Sequence, residues 1–138
     1  MAGILIVAHT PLASALLEFV EHIYGQVPEN IIAVNVPPHE DAKITFNKLQ
    51  NIVDNMTGTE EVLVITDIMG ATPSNVASRL RGKSNNPRNI QILTGVNLPM
   101  LLRAVSHRHE PISEIVEKSL QGGQQGVMRI RELNKASI

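Results

Sequence analysis

Four short stretches of this chain are dominated by aliphatic side chains: Ile4-Leu5-Ile6-Val7, residues 31–36, Val62-Leu63-Val64-Ile65 and residues 90–93. Strands covered on both faces read this way, whereas half-exposed strands alternate apolar and polar residues. Between these stretches the apolar residues recur at helical spacing. Leu12, Leu16, Phe19, Val20 and Ile23 precede Gly25; Phe46, Leu49, Val53 and Met56 precede Gly58. Val76 and Leu80 follow Pro73, Leu101, Leu102 and Val105 follow Pro99, and Ile112, Ile115, Val116 and Leu120 precede Gly122-Gly123. Strands alternating with helices predict an α/β domain of three layers, α/β/α, around a mostly parallel sheet. Right-handed crossovers on so small a sheet favour the flavodoxin-like strand order 2-1-3-4. Gly126 to Arg131 alternates apolar and basic residues, which predicts a C-terminal edge strand. One domain is expected over residues 1–131, a tail over 132–138, and a surface loop from Arg81 to Asn89.

Composition narrows the function. Aromatic residues make up 2% of the 138 positions, so the core is aliphatic and stacking platforms for single-stranded nucleic acid are absent. A formal net charge of −1 leaves no electrostatic footprint for DNA or RNA. With no cysteine, disulfides, thiolate metal sites and cysteine nucleophiles are excluded. No run approaches the roughly 20 apolar residues of a membrane span, and the first residues lack the pattern of a secretory signal. A cytoplasmic protein without direct membrane insertion is expected.

The polar residues that end the strands carry the chemistry. His9 ends the first run and Asp67 follows the third. In the order 2-1-3-4 the first and third strands are neighbours, and the chain leaves them toward opposite faces, opening a crevice at their carboxyl ends. Topology therefore brings a histidine and a carboxylate together. A carboxylate that accepts one ring N–H fixes the imidazole tautomer and frees the other nitrogen for attack on phosphorus. Gly70, Ala71 and Thr72 lie between a strand and a helix, where backbone N–H groups can hold phosphoryl oxygens, and the Thr10 and Thr72 hydroxyls add donors. Thr10 can also cap the following helix, with Pro11 in its first turn. Taken singly, each residue has an ordinary structural reading: His9 or Asp67 as a cap or turn residue, Gly70 to Thr72 as a plain loop. Their convergence on one switch point favours a site.

Other polar clusters read differently. Gly82-Lys83-Ser84 lacks the glycine five positions earlier that a phosphate-binding loop needs, since Ala77 stands there. His107 and His109 flank Arg108 without a third ligand at sensible spacing, so a surface turn is expected and no metal. His39-Glu40-Asp41 reads as the start of a helix, and His22 as solvent-facing.

With Ile6-Val7-Ala8-His9, the segment from Thr66 through Asp67-Ile68-Met69-Gly70-Ala71-Thr72-Pro73-Ser74-Asn75 to Ala77, and Thr94-Gly95-Val96-Asn97-Leu98-Pro99-Met100-Leu101, the chain resembles a known family. It is similar, from Ile4 to about Ile130, to the enzyme IIA domains of the mannose/fructose/sorbose-type sugar phosphotransferase system. The resemblance implies a phosphohistidine carrier without cofactor. In it the residue matching His9 receives phosphate from the carrier protein HPr and passes it to a IIB domain, and the aspartate matching Asp67 partners the histidine. It also implies a homodimer across which the final strand, here Gly126 to Arg131, can be exchanged. Pro11 and Met69 stand where mannose-type members tend to have glycine and tryptophan. Two other roles remain open: a regulatory phosphoprotein of the same relay, and the phosphotransfer subunit of a dihydroxyacetone kinase. A nucleotide or flavin domain is disfavoured, because no glycine-rich fingerprint follows the first strand.

Overall fold

The computed structural model describes residues 1–82 and 89–131. Its elements run β1 (Gly3–His9), α1 (Leu12–Tyr24), β2 (Ile31–Val36), α2 (Ala42–Asn55), β3 (Val62–Thr66), α3 (Thr72–Ala77), β4 (Ile90–Leu93), α4 (Leu98–Ser106) and α5 (Ile112–Gln125). All strand pairs are parallel and the order is β2-β1-β3-β4, as the crossover rule predicts.

The period of two along each strand sorts its side chains between two cores. Ile4, Ile6 and Ala8 of β1, with Leu63 and Ile65 of β3, meet Leu16 and Val20 of α1, α4 and Ile115 of α5. Leu5 and Val7, with Val62 and Val64, face the other way, toward Leu49 and Val53 of α2 and Val76 of α3. The chain thus leaves β1 for one face and β3 for the other, which creates the switch point at their carboxyl ends.

Three expectations change. Thr10 does not cap α1: Pro11 occupies the cap position and supplies no side-chain acceptor, and the Thr10–Pro11 bond is cis. The orphan N–H of Ser14 is taken instead by the Asn35 Oδ1 of β2 at 3.1 Å, while Asn35 Nδ2 donates to Ser14 Oγ at 2.9 Å. Gly122 and Gly123 do not stop α5; they lie inside it, buried against α4. A Cβ at Gly122 would come within 2.5 Å of Arg103 Cγ, so glycine there sets how closely the two helices approach.

The third correction concerns the C-terminal edge strand. After α5 reaches Gln125, residues 126–131 form no strand, and Val127, Met128 and Ile130 are more than two-thirds exposed. The alternating pattern is present, but among the described residues the segment pairs with no strand. Of the loop expected from Arg81 to Asn89, residues 83–88 lie outside the described residues, including Lys83 and Ser84, as does the tail 132–138.

Candidate active site

β1 delivers His9 and β3 delivers Asp67 to the same end of the sheet. Register places Val7 beside Thr66, so Asp67 is the next residue along its strand and stands at the level of Ala8 and His9. The carboxylate binds the histidine twice. Asp67 Oδ2 accepts from the His9 backbone N–H at 3.0 Å and lies 2.7 Å from His9 Nδ1. Its other oxygen accepts from the Ile68 N–H at 2.9 Å.

Partial burial opposes the charge on Asp67. The donors that converge on it, namely the His9 N–H, the His9 ring and the Ile68 N–H, outweigh that cost and hold its pKa below the usual value. An ionised carboxylate only accepts hydrogen bonds. The proton of a neutral imidazole is therefore on Nδ1, and Nε2 keeps its lone pair. The His9 side chain is 51% exposed while that of Asp67 is 10% exposed, so the positioned ring meets solvent and its holder does not.

Among the described residues, Thr10, Gly70, Ala71 and Thr72 make no hydrogen bond to His9 or Asp67. They surround the pair by connectivity: Thr10 follows His9, its N–H bonded to Val36 O at 3.1 Å. Gly70, with φ of 84°, and Ala71 bend the chain from Asp67 into α3, whose first residue is Thr72. α3 packs against β1 and β3, which keeps this turn beside the histidine. Asn35 went unrecognised in the sequence. Its only signal was a lone amide in an otherwise aliphatic strand, in register with Ala8.

Four apolar side chains stay exposed on segments that leave the same edge: Leu12, Ile68, Met69 and Leu98. Met69 is 81% exposed. A cleft of about 1010 Å³ lies elsewhere, between α2 and α3, lined by Lys43, Phe46, Asp54 and Arg79 among others, and includes neither His9 nor Asp67. The His9 ring, half exposed, meets solvent outside that cleft.

A family model described as "PTS system fructose IIA component" matches residues 3–120. The chain belongs to this family. It is a IIA component of the mannose/fructose/sorbose type, in a phosphotransferase system (PTS). The sorbose-specific EIIA component of Lacticaseibacillus casei is 32% identical over 82% of this IIA chain and 79% of its own length. The mannose-specific EIIAB component of Escherichia coli K12 is 28% identical over 94% of this chain, which spans 39% of that relative's length. A crystal structure of EIIA from Streptococcus agalactiae superposes with a TM-score of 0.82 at 31% identity, covering 94% of this chain and 97% of the other. A mannose/sorbose IIA subunit from Enterococcus faecalis shares the fold, with a TM-score of 0.82 at 24% identity and coverage of 96% and 97%. Among the described residues, no helix is long and apolar enough to cross a membrane.

Proposed function

We propose that this IIA protein is a phosphohistidine carrier: it takes a phosphoryl group from HPr onto His9 and hands it to a IIB partner. The observation that carries the reading is the fixed imidazole, with Nδ1 2.7 Å from Asp67 and an exposed ring. In the forward step the Nε2 lone pair of His9 attacks phosphorus as the bond from phosphorus to the donor's leaving atom breaks, and its electron pair returns to the donor. The Nδ1 proton stays in its bond to Asp67, and the positive charge that develops on the ring sits beside the carboxylate. Passing the group on reverses these events toward the acceptor.

Phosphoryl transfer is mainly positioning and charge stabilisation. The turn over Gly70 and Ala71, with the Thr10 and Thr72 hydroxyls, supplies the remaining donors for the phosphoryl oxygens in this reading. The exposed Leu12, Ile68, Met69 and Leu98 suit a protein partner rather than a small metabolite, since apolar surface around a reactive group marks a docking face. Exposed Val127, Met128 and Ile130, with no strand partner among the described residues, support a homodimer in which this segment pairs with a second copy. The relay works in the cytoplasm, and the domain spans residues 1–131.

The test is to mix the protein with phosphoenolpyruvate, enzyme I and HPr and look for an acid-labile, base-stable phosphoryl adduct. The native chain is expected to form it and His9→Ala to lose it. Absence from the native chain would reject the carrier, and persistence in His9→Ala would reject the site.

A further inference from the structure

The backbone around His9 is held at some peptide units and not at others. The His9 N–H donates to Asp67 Oδ2 at 3.0 Å, and the next N–H, of Thr10, donates to Val36 O at 3.1 Å. Pro11 has no N–H, so the peptide that joins it to Thr10 donates to nothing. The chain is caught again at the Pro11 carbonyl, which accepts from the Ala15 N–H at 3.1 Å and from Ser14 Oγ at 3.0 Å.

Ser14 is in turn held by Asn35. The amide Oδ1 accepts from the Ser14 N–H at 3.1 Å, and Nδ2 donates to Ser14 Oγ at 2.9 Å. A hydroxyl has one proton to give. With Asn35 donating to the Ser14 oxygen, that proton is directed at the Pro11 carbonyl. The bonds therefore run one way, from Asn35 through Ser14 to Pro11. An acceptor alone is enough to cap α1. The second bond, from Nδ2, has no part in the cap and acts on the turn after His9.

Strand β2 supplies both holds. Asn35 is in register with Ala8 and Val36 with His9, and Asn35 shares its strand face with Ile31 and Ala33, which pack into the core beneath α1. The two residues after His9 are thus bracketed, Thr10 by Val36 O and Pro11 by Asn35 through Ser14. Placement matters at this point, because a reacting group displaced by about 1 Å can lose about 100-fold in rate.

We infer that Asn35 is a positioning residue for phosphoryl transfer: acting through the Ser14 hydroxyl, it fixes the turn that follows His9, and with it the placement of the imidazole and of Thr10. The inference rests on the carrier reading above.

The experiment measures kcat and KM for uptake from phosphorylated HPr, together with the Tm, in four variants. Ser14→Ala removes the hydroxyl and leaves the N–H of residue 14 on Asn35 Oδ1. Asn35→Asp keeps an acceptor for that N–H but draws the Ser14 proton away from Pro11. Each is expected to lower kcat about fivefold, the value of one hydrogen bond, with KM within about twofold and Tm within about 2 °C of native. Ser14→Thr keeps a hydroxyl and should recover most of the kcat that Ser14→Ala loses. In the double variant Asn35→Asp/Ser14→Ala the loss should stay near about fivefold, because both changes cut the same link.

A residue that merely caps α1 would leave kcat native in Ser14→Ala and Asn35→Asp alike, and that result overturns the inference. So does a loss carried by KM with kcat intact, or a Ser14→Thr variant as slow as Ser14→Ala. A double-variant loss of about 25-fold overturns it too, since the two side chains, or the new charge at position 35, would then act separately. If the native chain accepts no phosphoryl group, the carrier reading fails first; normal uptake by the native chain with indifferent variants removes Asn35 alone.

Discussion

His9 and His107 each direct Nδ1 at a carboxylate, Asp67 in one case and Glu110 in the other. Asp67 comes from 58 residues away, across two parallel strands, and is itself held by two backbone N–H groups. Glu110 comes from the same turn, three residues on, and is shared with Lys118 of α5. The two pairs occupy opposite ends of the sheet. The Arg108 carbonyl next to His107 accepts from the Ala2 N–H, at the amino end of β1, whereas His9 stands at its carboxyl end. The His9 side chain is 51% exposed and that of His107 is 32% exposed. An imidazole held by a carboxylate is thus a common device. At the turn after α4 it joins α4 to α5; at the switch point it leaves a ring nitrogen facing solvent.

Substitutions can break that contrast, and the largest effect belongs to His9→Ala, which should abolish phosphoryl uptake while the far-UV spectrum and Tm stay near native. Next comes Asp67→Asn, an isosteric change that no longer favours the Nδ1–H tautomer. Uptake should slow roughly 100-fold, mostly in kcat, with the fold intact; a rate within twofold of native would remove Asp67 from the mechanism. His107→Ala should leave uptake within about twofold and lower the Tm by no more than about 3 °C, because a part-exposed ion pair contributes little. Lost uptake in that variant would erase the distinction between the two pairs.

The smallest effect is on acid stability. Asp67 has its pKa lowered against the opposition of burial, by the His9 and Ile68 donors; Glu110 has its pKa lowered by Lys118 first and His107 second. A depressed carboxylate favours the folded state above its unfolded pKa, about 4 for such groups. That contribution disappears as pH falls through the lower folded value. Asp67→Asn and Glu110→Gln should each flatten the acid limb of a stability curve below about pH 4. A variant whose acid limb matches the native one would show that its carboxylate is not held in the folded state.

The site pair was legible in the sequence because two unbroken aliphatic runs fix where β1 and β3 end, and the crossover rule makes them neighbours. Nothing in residues 9 to 67 need be known in detail for that. Asn35 was hidden because a capping acceptor on a neighbouring strand leaves no local spacing to read. Gly122 carried an ambiguous signal: glycine stops helices and also admits close packing, and only the approach of Arg103 and Pro99 decides between them. His39-Glu40-Asp41 reads as a helix start; Asp41 does cap α2, while His39 belongs to the turn closed by the Glu40 N–H on Pro37 O. The segment from Gly126 to Arg131 has a strand's alternation, yet among the described residues it pairs with no strand, because alternation reports two unlike faces and not a partner.

The most direct test of the central claim is to identify the ring nitrogen that carries phosphorus, by nitrogen and phosphorus NMR of the ¹⁵N-histidine-labelled, phosphorylated protein. Phosphorus coupled to Nε2 of His9, with a protonated Nδ1 still hydrogen-bonded to Asp67, is the predicted result. Phosphorus on Nδ1, or on any other histidine, would contradict the account.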